Sequence, residues 1–162
     1  MQLTWNDLIV EDLGNAAALL EDWDWLVKGQ FRPIIANRFG DWFLGRPDGR
    51  VEWLSMLDGE LVDVAASAAE FEQSINSQTK QEEWLLSLNV FALHERGLIP
   101  GPDQCYAYKI PPALGGSFEL DNVEVMDWPV YSSICGQLHR QLKAMPPGSK
   151  ITGFVVDGPG TR

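Results

Sequence analysis

The chain has 162 residues, 45% of them hydrophobic and 22% charged, which suits one domain with a substantial core and excludes a disordered chain. A formal net charge of −11 argues against binding to a nucleic-acid backbone or an anionic membrane, since both need clustered Lys and Arg. Two cysteines, Cys105 and Cys135, make neither a disulfide framework nor a metal-ligand spacing.

The acidity is uneven along the chain. Residues 1–100 hold 17 acids against 7 bases, whereas residues 101–162 hold 6 against 5. Such a surface attracts a basic protein, and it also keeps a cytosolic protein in solution. The start, Met1-Gln2-Leu3-Thr4-Trp5-Asn6-Asp7, has no basic segment and no apolar segment of a secretory signal, and no apolar run is long enough for a bilayer. The expectation is a cytoplasmic protein with reduced thiols.

In chain order, residues 4–28 read as two helical pieces, capped by Thr4 and Asn15. Trp23-Asp24-Trp25-Leu26 reads as a helix end packed on a sheet. Pro33-Ile34-Ile35-Ala36 is the first predicted strand. Asp48-Gly49 and Asp58-Gly59 each lie between apolar runs, and two such turns in succession imply an antiparallel meander. Ser67-Ala68-Ala69-Glu70 is a capping box that starts a helix with Phe71 and Ile75 on one face. Thr79-Lys80-Gln81-Glu82 predicts a second start, with Trp84, Leu88 and Phe91 sharing a face and Gly97 stopping the helix. Gln104–Ile110 is a strand, Pro111–Gly116 a turn, and Ser117–Leu120 and Val123–Val125 are extended. Asp127 caps a last helix with Pro129 in its first turn. Its apolar stripe is Tyr131, Ile134, Cys135, Leu138, Leu142 and Met145. The sum is an α+β fold: an antiparallel sheet of about four to six strands, with N-terminal, middle and C-terminal helices packed on it. Residues 1–151 form one domain and 152–162 a tail.

Catalytic chemistry is thin. Cys135 and His139 share a helix face at i, i+4, but Cys135 sits inside the apolar stripe, where a thiol acts as a small hydrophobe. His94 and His139 are the only histidines, and neither has acidic partners at zinc-binding offsets. Carboxylate pairs such as Glu82-Glu83 read as solvated helix faces. Leu114-Gly115-Gly116-Ser117 lacks the strand-to-helix context of a phosphate loop. Tyr106 and Tyr108 alternate on one strand and share a face, either in the core or as the wall of a cleft that includes His139.

Several stretches carry a family resemblance. They are Phe39-Gly40-Asp41-Trp42-Phe43-Leu44, Pro47-Asp48-Gly49-Arg50-Val51-Glu52-Trp53-Leu54, Val64 through Phe71, Cys105-Tyr106 through Gly116, Asn122-Val123-Glu124-Val125, and Ile134-Cys135-Gly136-Gln137-Leu138-His139. Together these resemble the C-terminal domain family of type VI secretion immunity proteins, the Tdi-like family. The first half is also similar to the SUKH group, which includes the yeast Smi/Knr regulators and many toxin-immunity proteins. Full Tdi-like proteins carry a longer N-terminal domain than precedes the sheet here.

The resemblance implies a SUKH-like α+β domain that binds a partner stoichiometrically, without catalytic residues, cofactor or metal. The expected partner is a basic protein toxin, of the kind that is often a nuclease. Charge clustering and loop position nominate Asp24, Trp25, Asp41, Asp48, Glu52, Asp58 and Glu60 as contacts, on a monomer or a homodimer. Two further readings stand beside this one. The first is a regulatory or scaffolding module of the Smi/Knr type, using an exposed edge strand. The second is a small-molecule cleft lined by Tyr106, Tyr108 and His139.

Overall fold

A computed structural model describes residues 1–151, 153 and 155–157. Its frame is the predicted meander. The Asp48-Gly49 turn joins β3 (Trp42–Gly45) to β4 (Val51–Ser55), and the Asp58-Gly59 turn joins β4 to β5 (Glu60–Ala65). The strand expected to be first, near Pro33, is β2 (Arg32–Asn37). Ahead of it the first helical piece stops after one turn, α1 (Trp5–Leu8). Two β-branched or aliphatic residues, β1 (Ile9–Val10), then pair with Asn37 and Ala36 as an edge. The sheet order is β1-β2-β3-β4-β5, with every neighbouring pair antiparallel.

Alternation along these strands feeds two cores. Phe43 and Ile9 point to one side, into a cluster with Phe71, Ile75, Trp84, Val90 and Leu93. Trp42, Leu44 and Val10 point to the other, against Trp23, Trp128, Tyr131 and Cys135. The sheet is therefore covered on both faces. The middle helices and α1 lie on one side, and residues 13–27 with the last helix lie on the other.

The middle helices depart from the sequence reading at one point. Ser67 caps α3 (Ala68–Ile75), accepting from Glu70 N at 3.1 Å. The next cap is Ser77, two residues earlier than expected, accepting from Lys80 N at 3.2 Å at the start of α4 (Gln78–Leu85). At Leu86 the backbone turns left-handed, with φ 52° and ψ 43°, and α5 (Ser87–Glu95) begins in a new direction. Trp84, Leu88 and Phe91 consequently do not share a face. Trp84 is buried, Leu88 is 64% exposed, and Val90 and Leu93 fill the core instead.

Strands β6 (Gln104–Tyr108) and β7 (Val123–Asp127) form a separate antiparallel pair. One main-chain hydrogen bond, Tyr106 N to Arg38 O at 2.7 Å, ties it to the main sheet. Residues 117–119 are not a strand, and Leu120–Asn122 is a single 3-10 turn leading into β7.

Asp127 caps α6 (Trp128–Ala144) as expected, accepting from Val130 N at 3.1 Å. The apolar stripe buries Tyr131, Cys135 and Leu138, but the neighbouring face is buried too. The Trp23 and Trp25 indole N–H groups donate to the α6 carbonyls of Ser132 and Gly136, at 2.9 and 3.1 Å. The Trp23-Asp24-Trp25 patch thus packs on α6 as well as on the sheet, with Trp23 wedged between the two. Gly136 permits this, because a Cβ there would lie 2.6 Å from Asp22 O.

Of the expected tail, residues 152, 154 and 158–162 lie outside the described residues. In the described part, Gln137 and Gln141, one turn apart on α6, bond to the main chain of Asp157 and Val155.

Candidate partner-binding surface

Consecutive turns of a meander fall at opposite ends of its sheet. β4 has five residues, which separates the Asp48 turn from the Asp58 turn by roughly 17 Å. The acids nominated from sequence therefore do not make one patch. Asp48 lies at one end, tied to Arg50 and with it to Asp63. Asp58 and Glu60 lie at the other end, both exposed.

Two nominated contacts are interior and offer no carboxylate to a partner. Asp41 is 4% exposed. It accepts from Met56 N at 2.8 Å, from Trp53 Nε1 at 3.0 Å and from Asn37 Nδ2 at 3.1 Å, and so ties β3 to the segment after β4. Desolvation pushes its pKa up to about 6 against those three donors, which favour the charged form. Glu52 is 8% exposed and paired with Arg46. The Arg46 guanidinium also reaches the main-chain carbonyls of Lys28 and Gln30.

The tyrosine–histidine cleft does not form as one site. Tyr106 is fully buried and its hydroxyl donates to Leu98 O at 2.7 Å. Tyr108 borders a cavity of about 90 Å³ with Asp41, Trp53 and Tyr131. His139 borders a different, open groove, and Leu57 and Asp58 border both. The sequence pattern places Tyr106 and Tyr108 on one face correctly, but that face is core.

Neither thiol nor His139 is activated. Burial pushes the Cys135 thiol up to about 12 and the Cys105 thiol well above its ordinary value, so neither is a thiolate at neutral pH. His139 Nε2 lies 2.8 Å from Met56 O, which requires a proton on that nitrogen. Burial lowers the His139 pKa, favouring the neutral ring. Among the described residues no group of three or more His, Cys, Asp or Glu could hold a metal ion.

What the structure does assemble is a surface at the Asp58 end. The Lys143 ammonium sits 5.6 Å over the Trp25 ring, and Trp25 stacks on Trp23, which itself approaches His139 at 5.9 Å between ring centroids. His139 lies against the Asp58-Gly59 turn. Trp25 and the Asp58-Gly59 turn are thereby both held against α6, and Asp24 and Glu60 are their exposed chain neighbours. An open groove of about 370 Å³ runs beside them, between that turn, α6 and the loop after β6.

That loop, residues 110–118, is the least obvious part from sequence and the most constrained. The Asn122 side chain closes it, donating to Ile110 O at 2.8 Å and Ser117 O at 2.7 Å while accepting from Ile110 N at 3.0 Å. Gly116 is obligatory: a Cβ there would stand 1.8 Å from Ile110 O. Pro111 and Pro112 lead into a single 3-10 turn, Pro112–Leu114. The loop holds two apolar side chains in solvent, Ile110 at 58% and Phe118 at 67% exposure. Phe118 and Asn122 are the site residues that sequence reasoning missed. The available signal was an aromatic residue beside Gly-Gly-Ser and an Asn four residues beyond it.

Three comparisons bear on identity. The sequence model of a family described as T6SS immunity protein Tdi1, C-terminal, matches residues 65–139, somewhat under half of the chain. The chain resembles that family, as its sequence motifs imply. No curated protein matches. The crystal structure of Atu4351 from Agrobacterium tumefaciens is similar at 13% identity with a TM-score of 0.48, over 75% of this chain; the chain spans 62% of that structure's length. Among the described residues no helix is long and apolar enough to cross a membrane.

Proposed function

We propose that this chain is a non-enzymatic cytoplasmic immunity protein that binds a basic protein toxin, of the nuclease kind, and blocks it by occupying its active surface. The observation that carries this reading is the immunity-family match over residues 65–139. That segment supplies β6, the clasped loop 110–118 and α6 as far as His139, which form one wall of the surface at the Asp58 end. The formal charge of −11 supports a basic partner, because a nuclease must attract phosphate and so presents positive charge around its site. Buried high-pKa thiols and a carbonyl-bound histidine leave neither thiol nor imidazole suited to nucleophilic work, which supports a binding role.

The contacts are Asp24, Trp25, Asp58 and Glu60, with Phe118 as an apolar anchor. A preformed loop spares much of the ordering entropy of association. The test is co-expression with toxin candidates encoded by genes adjacent to its own. Survival of cells carrying both, against death with the toxin alone, is expected; death in both refutes the function.

A further inference from the structure

We infer that the groove between the Asp58 turn, loop 110–118 and α6 receives one arginine side chain of the partner, with its guanidinium on the Asp58 carboxylate. This rests on the immunity reading and specifies how such a protein grips a basic toxin.

The groove fits a long cationic side chain better than a carboxylate or a purely apolar one. Its walls include Leu57, Pro112 and Leu142, which suit an aliphatic stem. At its edge Asp58 is exposed, and its Oδ2 accepts from Ser55 Oγ at 3.3 Å. Asp58 N is itself bonded to Ser55 Oγ at 3.1 Å, so the carboxylate is held in place before a partner arrives. Phe118, 67% exposed, stands where a guanidinium can lie against an aromatic face.

Two basic residues line the groove, and Lys143 keeps its charge there, so the Asp58 carboxylate has to outweigh it. Lys143 is drawn over the Trp25 ring, and burial keeps His139 toward its neutral form. Arg50, Asp48 and Asp63 satisfy one another at the far end of the sheet. The partner chemistry is therefore an arginine flanked by apolar residues, matching Asp58 with Phe118 and Pro112 in the same groove.

The test titrates acetyl-Leu-Arg-Leu-amide into the isotope-labelled protein and follows amide shifts by NMR. Saturable shifts centred on Leu57, Asp58, Gly59, Ala113 and Phe118 are expected. The same peptide with citrulline for arginine keeps the shape and removes the charge, and should bind on the order of tenfold more weakly. Asp58→Asn should produce a similar loss. Phe118→Ala, at an exposed position that leaves the fold intact, should weaken binding too. Absent shifts, shifts centred on Asp48 or Asp63, or equal binding of the citrulline peptide would each overturn the proposal. If the protein protects cells while the peptide misses the groove, the groove assignment alone fails. If the peptide binds but no protection is seen, the immunity reading fails.

Discussion

At the scale of single residues, Asp41 shows how far a side chain's role can lie from its local pattern. It follows Gly40 and precedes Trp42, a turn-like context that suggests an exposed acid. Its partners Trp53 and Met56 are 12 and 15 residues away, across β4, and no short-range rule reveals them. The folded protein takes up the Asp41 proton more readily than the unfolded chain, because burial raises its pKa from 3.8 to about 6. Asp41 thus favours folding fully below its unfolded pKa, and that contribution disappears as pH rises through 6. Relative to Asp41→Asn, the wild type should gain about 2 kcal/mol on going from pH 7.5 to 4.5. Urea denaturation of both proteins at the two pH values measures it, and a pH-independent difference would contradict the burial argument. Gly136 is a second such residue. Adding one methyl group there drives into the Asp22 carbonyl, so Gly136→Ala should cost roughly 1–3 kcal/mol and loosen Trp25, visible as a change in indole fluorescence.

At the scale of elements, local rules succeeded where they were self-contained and failed where tertiary packing chose between near-equivalent options. The Asp-Gly hairpins, the Ser67 cap and the Asp127 cap were all legible, since each depends on a few adjacent residues. Ser77 and Thr79 both offer a hydroxyl ahead of the same helix, and propensity cannot rank them. The structure selects Ser77, so Ser77→Ala should cost about 1 kcal/mol while Thr79→Ala should cost only a few tenths. Thermal denaturation of the two variants decides it. The break at Leu86 was illegible for a further reason: a left-handed leucine is disfavoured locally and persists because Leu86 packs against the core beside Tyr108. Loop 110–118 follows the same logic in reverse. Its prolines and glycines announce a turn, but its closure depends on Asn122, which belongs to the next element. Gly116→Ala should open the loop and raise hydrogen exchange at Ile110, with the α6 amides staying protected.

At the scale of the whole molecule, the meander decides which charges act together. The proposed basic partner rests on composition and its proposed class on the resemblance; neither could tell that the two Asp-Gly turns lie at opposite ends of the sheet. Among the described residues, only the Asp58 end combines exposed acids, stacked indoles on α6 and a clasped loop with exposed apolar side chains. Binding there should weaken as salt is raised, since exposed charges are screened within about 10 Å at 0.1 M ionic strength. The most direct test measures the affinity of the purified protein for a toxin that it protects against on co-expression, for wild type, Asp58→Lys/Glu60→Lys and Asp48→Asn. A loss of ~100-fold or more in the double variant with Asp48→Asn unchanged is the predicted result. Equal affinity of the double variant and the wild type would contradict the account, because it would place the partner on some other face of the fold.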